Sequence, residues 1–183
     1  MWGEKTVKKK IKRIIIEKAK KFHTQTLSIN PEIKFTNQKI KFGNAFHYFM
    51  SRILYISDYK TEAEIFMNLN FIDLELKKQI LSVSKQLINH PNLEKYFLNN
   101  NSLVCEKEIL VDKSKSIRPD RIVFNENKQI VIIDYKTGER SNKDENQIKK
   151  YRQILSKMGY KVNKTVLIYV SANNNDIDIV SNK

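Results

Sequence analysis

A candidate β-hairpin in the last third of the chain limits its possible folds more than any other segment does. Residues 117–124 (IRPDRIVF) and 130–137 (IVIIDYKT) are rich in β-branched residues, a composition typical of strands. The polar residues 125–129 (NENKQ) favour a turn, which pairs the two strands antiparallel and fixes their register. In that register, Asp120 of the first strand lies directly opposite Asp134 of the second.

Side chains alternate along the second strand, so two charged residues share one face. Asp134 and Lys136 lie on the face of Ile130 and Ile132, and Tyr135 lies on the opposite face. Opposed carboxylates destabilise a hairpin unless they are paired or bound to metal, so a divalent cation between them makes physical sense. The ammonium of Lys136 could then orient an attacking water or neutralise charge on a phosphate.

The two motifs together resemble the signature of a known superfamily. Pro119-Asp120 alone is a common turn dipeptide, and Asp134-Tyr135-Lys136 alone also arises on a solvent-facing strand. In this order and spacing they resemble the PD-(D/E)xK phosphodiesterases. Three further segments resemble the RecB-like branch, namely GNAFH at 43–47, CEKEI at 105–109 and QIKKY at 147–151. HPNLEKYF at 90–97 and Gly138 resemble the nuclease domain of exonuclease V β-subunit type helicase-nucleases.

The resemblance implies a metal-dependent DNA nuclease that uses Mg²⁺ or Mn²⁺. The residues it assigns to the metal are His47, Asp120, Asp134 and the backbone carbonyl of Tyr135. The residues it assigns to catalysis are Asp120, Asp134, Lys136 and Glu106. Glu108 stays an alternative to Glu106, because the two share a face of the predicted strand. His47 also shares a helix face with Met50 and Leu54, where a lone histidine is more often a core residue.

Three residues are predicted to contact the substrate. Gln147 and Tyr151 lie four residues apart on one helix face, which is expected to point towards the strand of Asp134. The alternative is that Tyr151 packs at the edge of the core and Gln147 faces water. Arg118 and Arg121 flank Asp120, so either could bind phosphate or pair with a neighbouring acid, and Arg121 is the predicted contact.

The order of predicted elements is that of a restriction-endonuclease-like α/β fold, an αβββαβ core with a mixed sheet flanked by helices and an N-terminal helical extension. Residues 1–41 are predicted to form a basic helix and connector, and 42–183 the nuclease domain. Helices are predicted at 43–56, 60–69, 72–89 and 142–158, and strands at 103–111, 117–124, 130–137, 165–171 and 177–180.

Composition agrees with a nucleic-acid partner. The formal net charge of +14 favours a polyanion such as DNA, although a lysine-rich surface alone also produces it. The single cysteine excludes disulfides and cysteine-ligated clusters, and no apolar run or signal peptide points to a membrane, so a cytoplasmic location is expected. Without a P-loop motif, a helicase motor would lie elsewhere on the same chain or on a partner. The alternatives are a restriction-type endonuclease and a non-catalytic nucleic-acid-binding module.

Overall fold

A computed structural model describes residues 38–112, 115–125, 129–171 and 176–182. The predicted basic helix and most of the connector lie outside these residues, so the predicted boundary at residue 41 stays a prediction. Within the described ranges, no helix is both long and apolar enough to cross a bilayer.

Seven strands form two sheets. The strands are β1 (Ser102–Cys105), β2 (Ile109–Asp112), β3 (Lys115–Ile117), β4 (Arg121–Phe124), β5 (Gln129–Lys136), β6 (Lys161–Val170) and β7 (Ile177–Asn182). Five of them form the main sheet, in the order β1-β4-β5-β6-β7, in which β5 and β6 are parallel and the other neighbours antiparallel. The strands β2 and β3 form a separate antiparallel ribbon.

Helices cover both faces of the main sheet. They are α1 (Gln38–Arg52), α2 (Tyr59–Met67), α3 (Leu74–Ile88) and α4 (Asn142–Lys157), with short 3₁₀ turns at Ile56–Asp58 and Glu94–Tyr96. The predicted α/β class, with a mixed sheet flanked by helices, is therefore confirmed. Three of the helices lie before the sheet in the chain and α4 connects its parallel strands β5 and β6, the long crossover that such a pair requires.

The alternation along β5 divides the core into two halves. Val131, Ile133 and Tyr135 pack with buried residues of α1 to α3, whereas Ile130 and Ile132 pack with buried residues of α4. Both halves are closed to water, so β5 is buried on its two faces and reads as a nearly continuous apolar run, as is usual for a central strand in a parallel pair. Asp134 and Lys136 lie at the end of this run on the α4 side, as predicted.

The predicted register of the hairpin is confirmed. The pairs run from Phe124 opposite Ile130 to Arg121 opposite Ile133, so the next position brings Asp120 to the level of Asp134. The contact is closed by the backbone N–H of Tyr135, which donates to Oδ2 of Asp120 at 2.6 Å.

Two predicted strands are each broken in the middle. The predicted strand 103–111 is interrupted at Glu106, whose φ of 47° lies in the left-handed region, and it becomes β1 and β2. The predicted strand 117–124 is interrupted at residues 118–120, where Pro119 lacks a backbone donor, and it becomes β3 and β4. The breaks lie side by side, and the N–H of Glu106 donates to the carbonyl of Asp120 at 2.9 Å. The ribbon leaves the sheet at this point.

The helix ends also differ from the prediction. The helix expected to begin at Gly43 begins at Gln38 and ends at Arg52, and the strand expected to begin at Thr165 begins at Lys161. Gly159 follows α4 with φ of 87°, the left-handed conformation that glycine supplies at helix ends.

Candidate metal centre

The two strand breaks bring three potential metal ligands together. His47 comes from α1, Glu106 follows β1 and Asp120 precedes β4, and one ligand atom from each lies within 4.8 Å of the others. His47 Nδ1 is 3.4 Å from Asp120 Oδ1 and 3.5 Å from Glu106 Oε1. Glu108, the alternative to Glu106, is exposed and is not in this cluster.

A close approach of α1 to the end of β5 sets the position of His47. Gly43 lies one turn before His47, and a Cβ atom at Gly43 would be only 2.8 Å from Oγ1 of Thr137. The ring of Phe46 meets the ring of Tyr135 edge-on at 5.8 Å, which fixes the rotation of the helix about its axis. The glycine spacing that carried the family resemblance thus has a physical basis in this contact.

Burial and charge shift the pKa values of the cluster in opposite directions. Burial raises the pKa of Asp120 to about 6, and the nearby charge of Asp134 adds to this although His47 opposes it. Burial lowers the pKa of His47, but hydrogen bonds and charge from Asp120 and Glu106 outweigh it and raise it to about 10. Burial also raises the pKa of Glu106, yet His47 and its other partners leave it lowered. The cluster therefore holds a positive imidazolium between carboxylates.

The lysine of the second motif lies in a chain of polar contacts. Lys136 Nζ is 2.8 Å from Oδ2 of Asp134 and donates to Oε1 of Gln147 at 2.7 Å. Gln147 Nε2 donates to the hydroxyl of Tyr151 at 2.6 Å, and that hydroxyl donates to the carbonyl of Arg118 at 3.5 Å. Burial lowers the pKa of Lys136, but Asp134 more than offsets this and raises it. Gln147 and Tyr151 face the motif strand, as their spacing predicted.

Asp134 is placed next to the cluster but is paired with Lys136. Its side chain is only 3% exposed, and burial raises its pKa against the opposing effect of Lys136. Its charge also acts on the pKa of Asp120, so the two carboxylates are neighbours across the hairpin as predicted. The use of Asp134 and of the Tyr135 carbonyl as metal ligands stays a prediction.

Arg121 does not have the position expected of a substrate contact. Its side chain is fully buried, and its guanidinium donates to the carbonyls of Ile53, Leu54 and Tyr96 and lies over the ring of Phe97. It therefore binds carbonyls just after the end of α1, because on β4 it points into the half of the core that contains the first three helices. This corrects the predicted phosphate contact.

Arg118 is the exposed arginine of the pair. Its side chain is 68% exposed, and its Nε is 3.3 Å from Oε2 of Glu106. A guanidinium beside a candidate metal ligand is suited to a phosphate oxygen.

Sequence reasoning missed Asp144. The capping box of α4 consists of Ser141 and Asp144, one residue earlier than the Asn142 and Glu145 expected from the sequence. Asp144 Oδ1 is 3.7 Å from Lys136 Nζ, and Oδ2 accepts from the hydroxyl of Tyr169 at 3.2 Å. The spacing Ser-x-x-Asp was a signal for the cap but not for these two contacts, which join separate elements.

The donor set of the cluster fits a hard divalent cation. Two carboxylates and an imidazole are ligands that Mn²⁺ accepts readily and Mg²⁺ tolerates. The raised pKa of Asp120 shows that its charge is poorly compensated in this buried position, which a cation would correct. His47, Glu106 and Asp120 are the residues that could hold it.

Fold and site together define a mixed α/β protein with a carboxylate and imidazole cluster at the end of its central strand. Residues 70–183, more than half of the chain, match the family model described as L protein N-terminus, and the chain belongs to that family. The matched range includes Glu106, Asp120, Asp134 and Lys136, whereas His47 precedes it.

One solved structure and the curated proteins complete the comparison. The crystal structure of SSO0001 is 20% identical, with a TM-score of 0.31 over 78% of this chain and 75% of that one, a similarity too low to transfer any property. The comparison with curated proteins gave no match.

Proposed function

We propose that the protein is a metal-dependent nuclease of the PD-(D/E)xK type, in the RecB-like branch, that hydrolyses phosphodiester bonds of DNA with Mg²⁺ or Mn²⁺. The observation that carries the proposal is the cluster of His47, Glu106 and Asp120 beside the ion pair of Asp134 and Lys136. Two carboxylates, an imidazole and a lysine at one end of a sheet are the groups that metal-assisted phosphodiester hydrolysis needs.

Each group has a proposed role. His47, Glu106 and Asp120 would hold the cation, and Asp134 is proposed to join them. When bound, the cation supplies a Lewis acid that lowers the pKa of a coordinated water and offsets charge on the phosphate. Lys136, held by Gln147, would orient the attacking water and stabilise the charge that grows on the phosphate oxygens.

The surroundings of the cluster favour a polyanionic substrate. Arg118 is exposed next to Glu106, and its guanidinium could bind a phosphate of the substrate backbone. The net charge of +14 would attract nucleic acid over a longer range. A helicase motor on the same or a partner chain and an intracellular location, where DNA is found, belong to the proposal as well.

A cleavage assay with metal tests the proposal. Wild-type protein should degrade end-labelled DNA with Mn²⁺ or Mg²⁺ and lose this activity in EDTA. Asp134→Ala and Lys136→Ala should each lower the rate by about a hundredfold or more, the loss typical of removing one charge-stabilising group. Lys157→Ala is the matched control, because it removes the same charge from an exposed position at the other end of α4. Full activity in Asp134→Ala would contradict the catalytic assignment.

The choice of substrates separates the alternatives. Cleavage of linear but not circular DNA indicates an exonuclease, and cleavage of both indicates the restriction-type endonuclease. Single-stranded RNA of the same sequence tests whether the sugar is discriminated. Binding without cleavage under every metal condition would favour the non-catalytic module.

A further inference from the structure

The N-terminus of α4 offers Lys136 a second acid besides Asp134. We propose that Asp144 is a positioning residue, which holds the ammonium of Lys136 in place for the reaction. This inference rests on the proposed nuclease function. It concerns a residue outside both sequence motifs and outside the metal cluster.

The ammonium of Lys136 has three N–H donors and three acceptors around it. Asp134 Oδ2 lies at 2.8 Å, Gln147 Oε1 at 2.7 Å and Asp144 Oδ1 at 3.7 Å. The first two distances are hydrogen bonds in length, and the third is an ion pair. The three acceptors come from β5 and from two positions of α4, so together they confine the end of a flexible four-carbon side chain.

Asp144 is itself fixed by three contacts. Its Oδ2 accepts from the backbone N–H of Ser141 at 3.1 Å and from the hydroxyl of Tyr169 at 3.2 Å. Its own N–H donates to the hydroxyl of Ser141 at 3.4 Å. The cap and the tyrosine bind one oxygen of the carboxylate, and the other oxygen faces Lys136. A capping role alone accounts for the contacts to Ser141 but not for those to Tyr169 and Lys136.

The contact matters most when Asp134 turns to a cation. An oxygen of Asp134 that shares its charge with a metal attracts Lys136 less, and Gln147 contributes no charge. Asp144 is then the acid that retains its full charge beside the ammonium. A displacement of about 1 Å in a reacting group can cost a hundredfold in rate, so a weak ion pair can have a large effect on turnover.

Turnover by an isosteric variant tests the inference. Asp144→Asn should lower kcat about tenfold to a hundredfold, with KM and the affinity for Mn²⁺ within about twofold of wild type. Asp144→Glu keeps the charge and suits the capping position, so it should recover part of the loss. Glu145→Gln, an exposed acid-to-amide change in the same turn, is the matched control and should leave kcat unchanged.

Two further variants separate positioning from capping. Ser141→Ala removes the cap hydroxyl and should lower the melting temperature with little change in kcat. Tyr169→Phe removes the hydroxyl that holds Asp144, so it should lower kcat, and the double variant with Asp144→Asn should be no slower than Asp144→Asn alone. A kcat of Asp144→Asn within twofold of wild type, where Lys136→Ala is inactive, would overturn the inference.

An NMR measurement decides the inference independently of cleavage. The ¹⁵N-attached protons of a confined lysine ammonium exchange slowly enough to be seen, so Lys136 should give a signal in Mg²⁺ that is lost in Asp144→Asn and kept in Glu145→Gln. An unchanged signal in Asp144→Asn would overturn the positioning role. A wild type that never cleaves nucleic acid but shows this signal would contradict the proposed nuclease and leave the positioning of Lys136 established.

Discussion

Arg118 and Arg121 flank the same carboxylate in opposite surroundings. Arg121 lies on β4 and points into the core, where its fixed fork of donors satisfies carbonyls that α1 leaves unpaired at its end. Arg118 lies before β4, where Pro119 breaks the strand, and it is exposed beside Glu106. From the sequence the two were equivalent, since the face of each depends on where the strand begins.

The difference between the two arginines is testable by matched changes. Arg121→Met should lower the free energy of unfolding by about 3 kcal/mol or more, because several buried carbonyls lose their donor. Arg118→Met should change it by less than about 0.5 kcal/mol and instead weaken DNA binding. Urea unfolding and binding of folded protein measure the two effects. Weaker DNA binding by a stable Arg121→Met protein would restore the original reading of that residue.

At the scale of elements, the hairpin was predictable and its surroundings were not. The turn at 125–129 and the alternation along β5 are local signals, so register and faces follow from the sequence. The left-handed conformation of Glu106 is not visible in a glutamate, and only Pro119 signalled the second break. These breaks are what place Glu106 beside Asp120. The network of Asp144 and Tyr169 also joins separate elements, which no spacing rule along one element reveals.

The contact between α1 and the end of β5 gives a prediction about helix placement. In a helix, Gly→Ala normally stabilises by about 1 kcal/mol. In Gly43→Ala the new methyl group would meet Thr137 Oγ1 at 2.8 Å, so this gain should be absent and Mn²⁺ affinity should fall as His47 moves. In a Thr137→Ala background the clash is gone, and the same change should stabilise. Thermal unfolding of the four proteins checks this, and additive effects would mean that the contact does not constrain α1.

At the scale of the whole molecule, charge should govern DNA binding. The net charge of +14 implies that binding releases counterions, so affinity should fall steeply with salt. Ca²⁺ occupies oxygen sites without supporting most metal-dependent cleavage, and it allows binding to be measured without turnover. Fluorescence anisotropy across about 50 to 200 mM salt should show a loss of tenfold or more. An affinity independent of salt would remove nucleic acid as the expected partner.

Metal binding should also change the stability of the whole fold through Asp120. Its pKa of about 6 in the folded protein lies above the ordinary value of 3.8, so the folded state favours the protonated form. The stability that this group contributes is present below its unfolded pKa and is lost as pH rises through 6. At pH 7.5 without metal, Asp120→Asn should therefore melt at a higher temperature than wild type, and the difference should shrink at pH 5.

The same variant tests the metal site. A cation at a hundred times its dissociation constant stabilises a folded site by about 2.7 kcal/mol, which for a domain of this size is a rise of about 5 °C or more in Tm. Mn²⁺ should give that rise in wild type and much less in Asp120→Asn, because the variant lacks a charged ligand. Glu108→Gln, an exposed change two residues from Glu106, should keep the full response. If Asp120→Asn and wild type respond equally to Mn²⁺, Asp120 is not a ligand and the cluster is an ion-pair network without a metal.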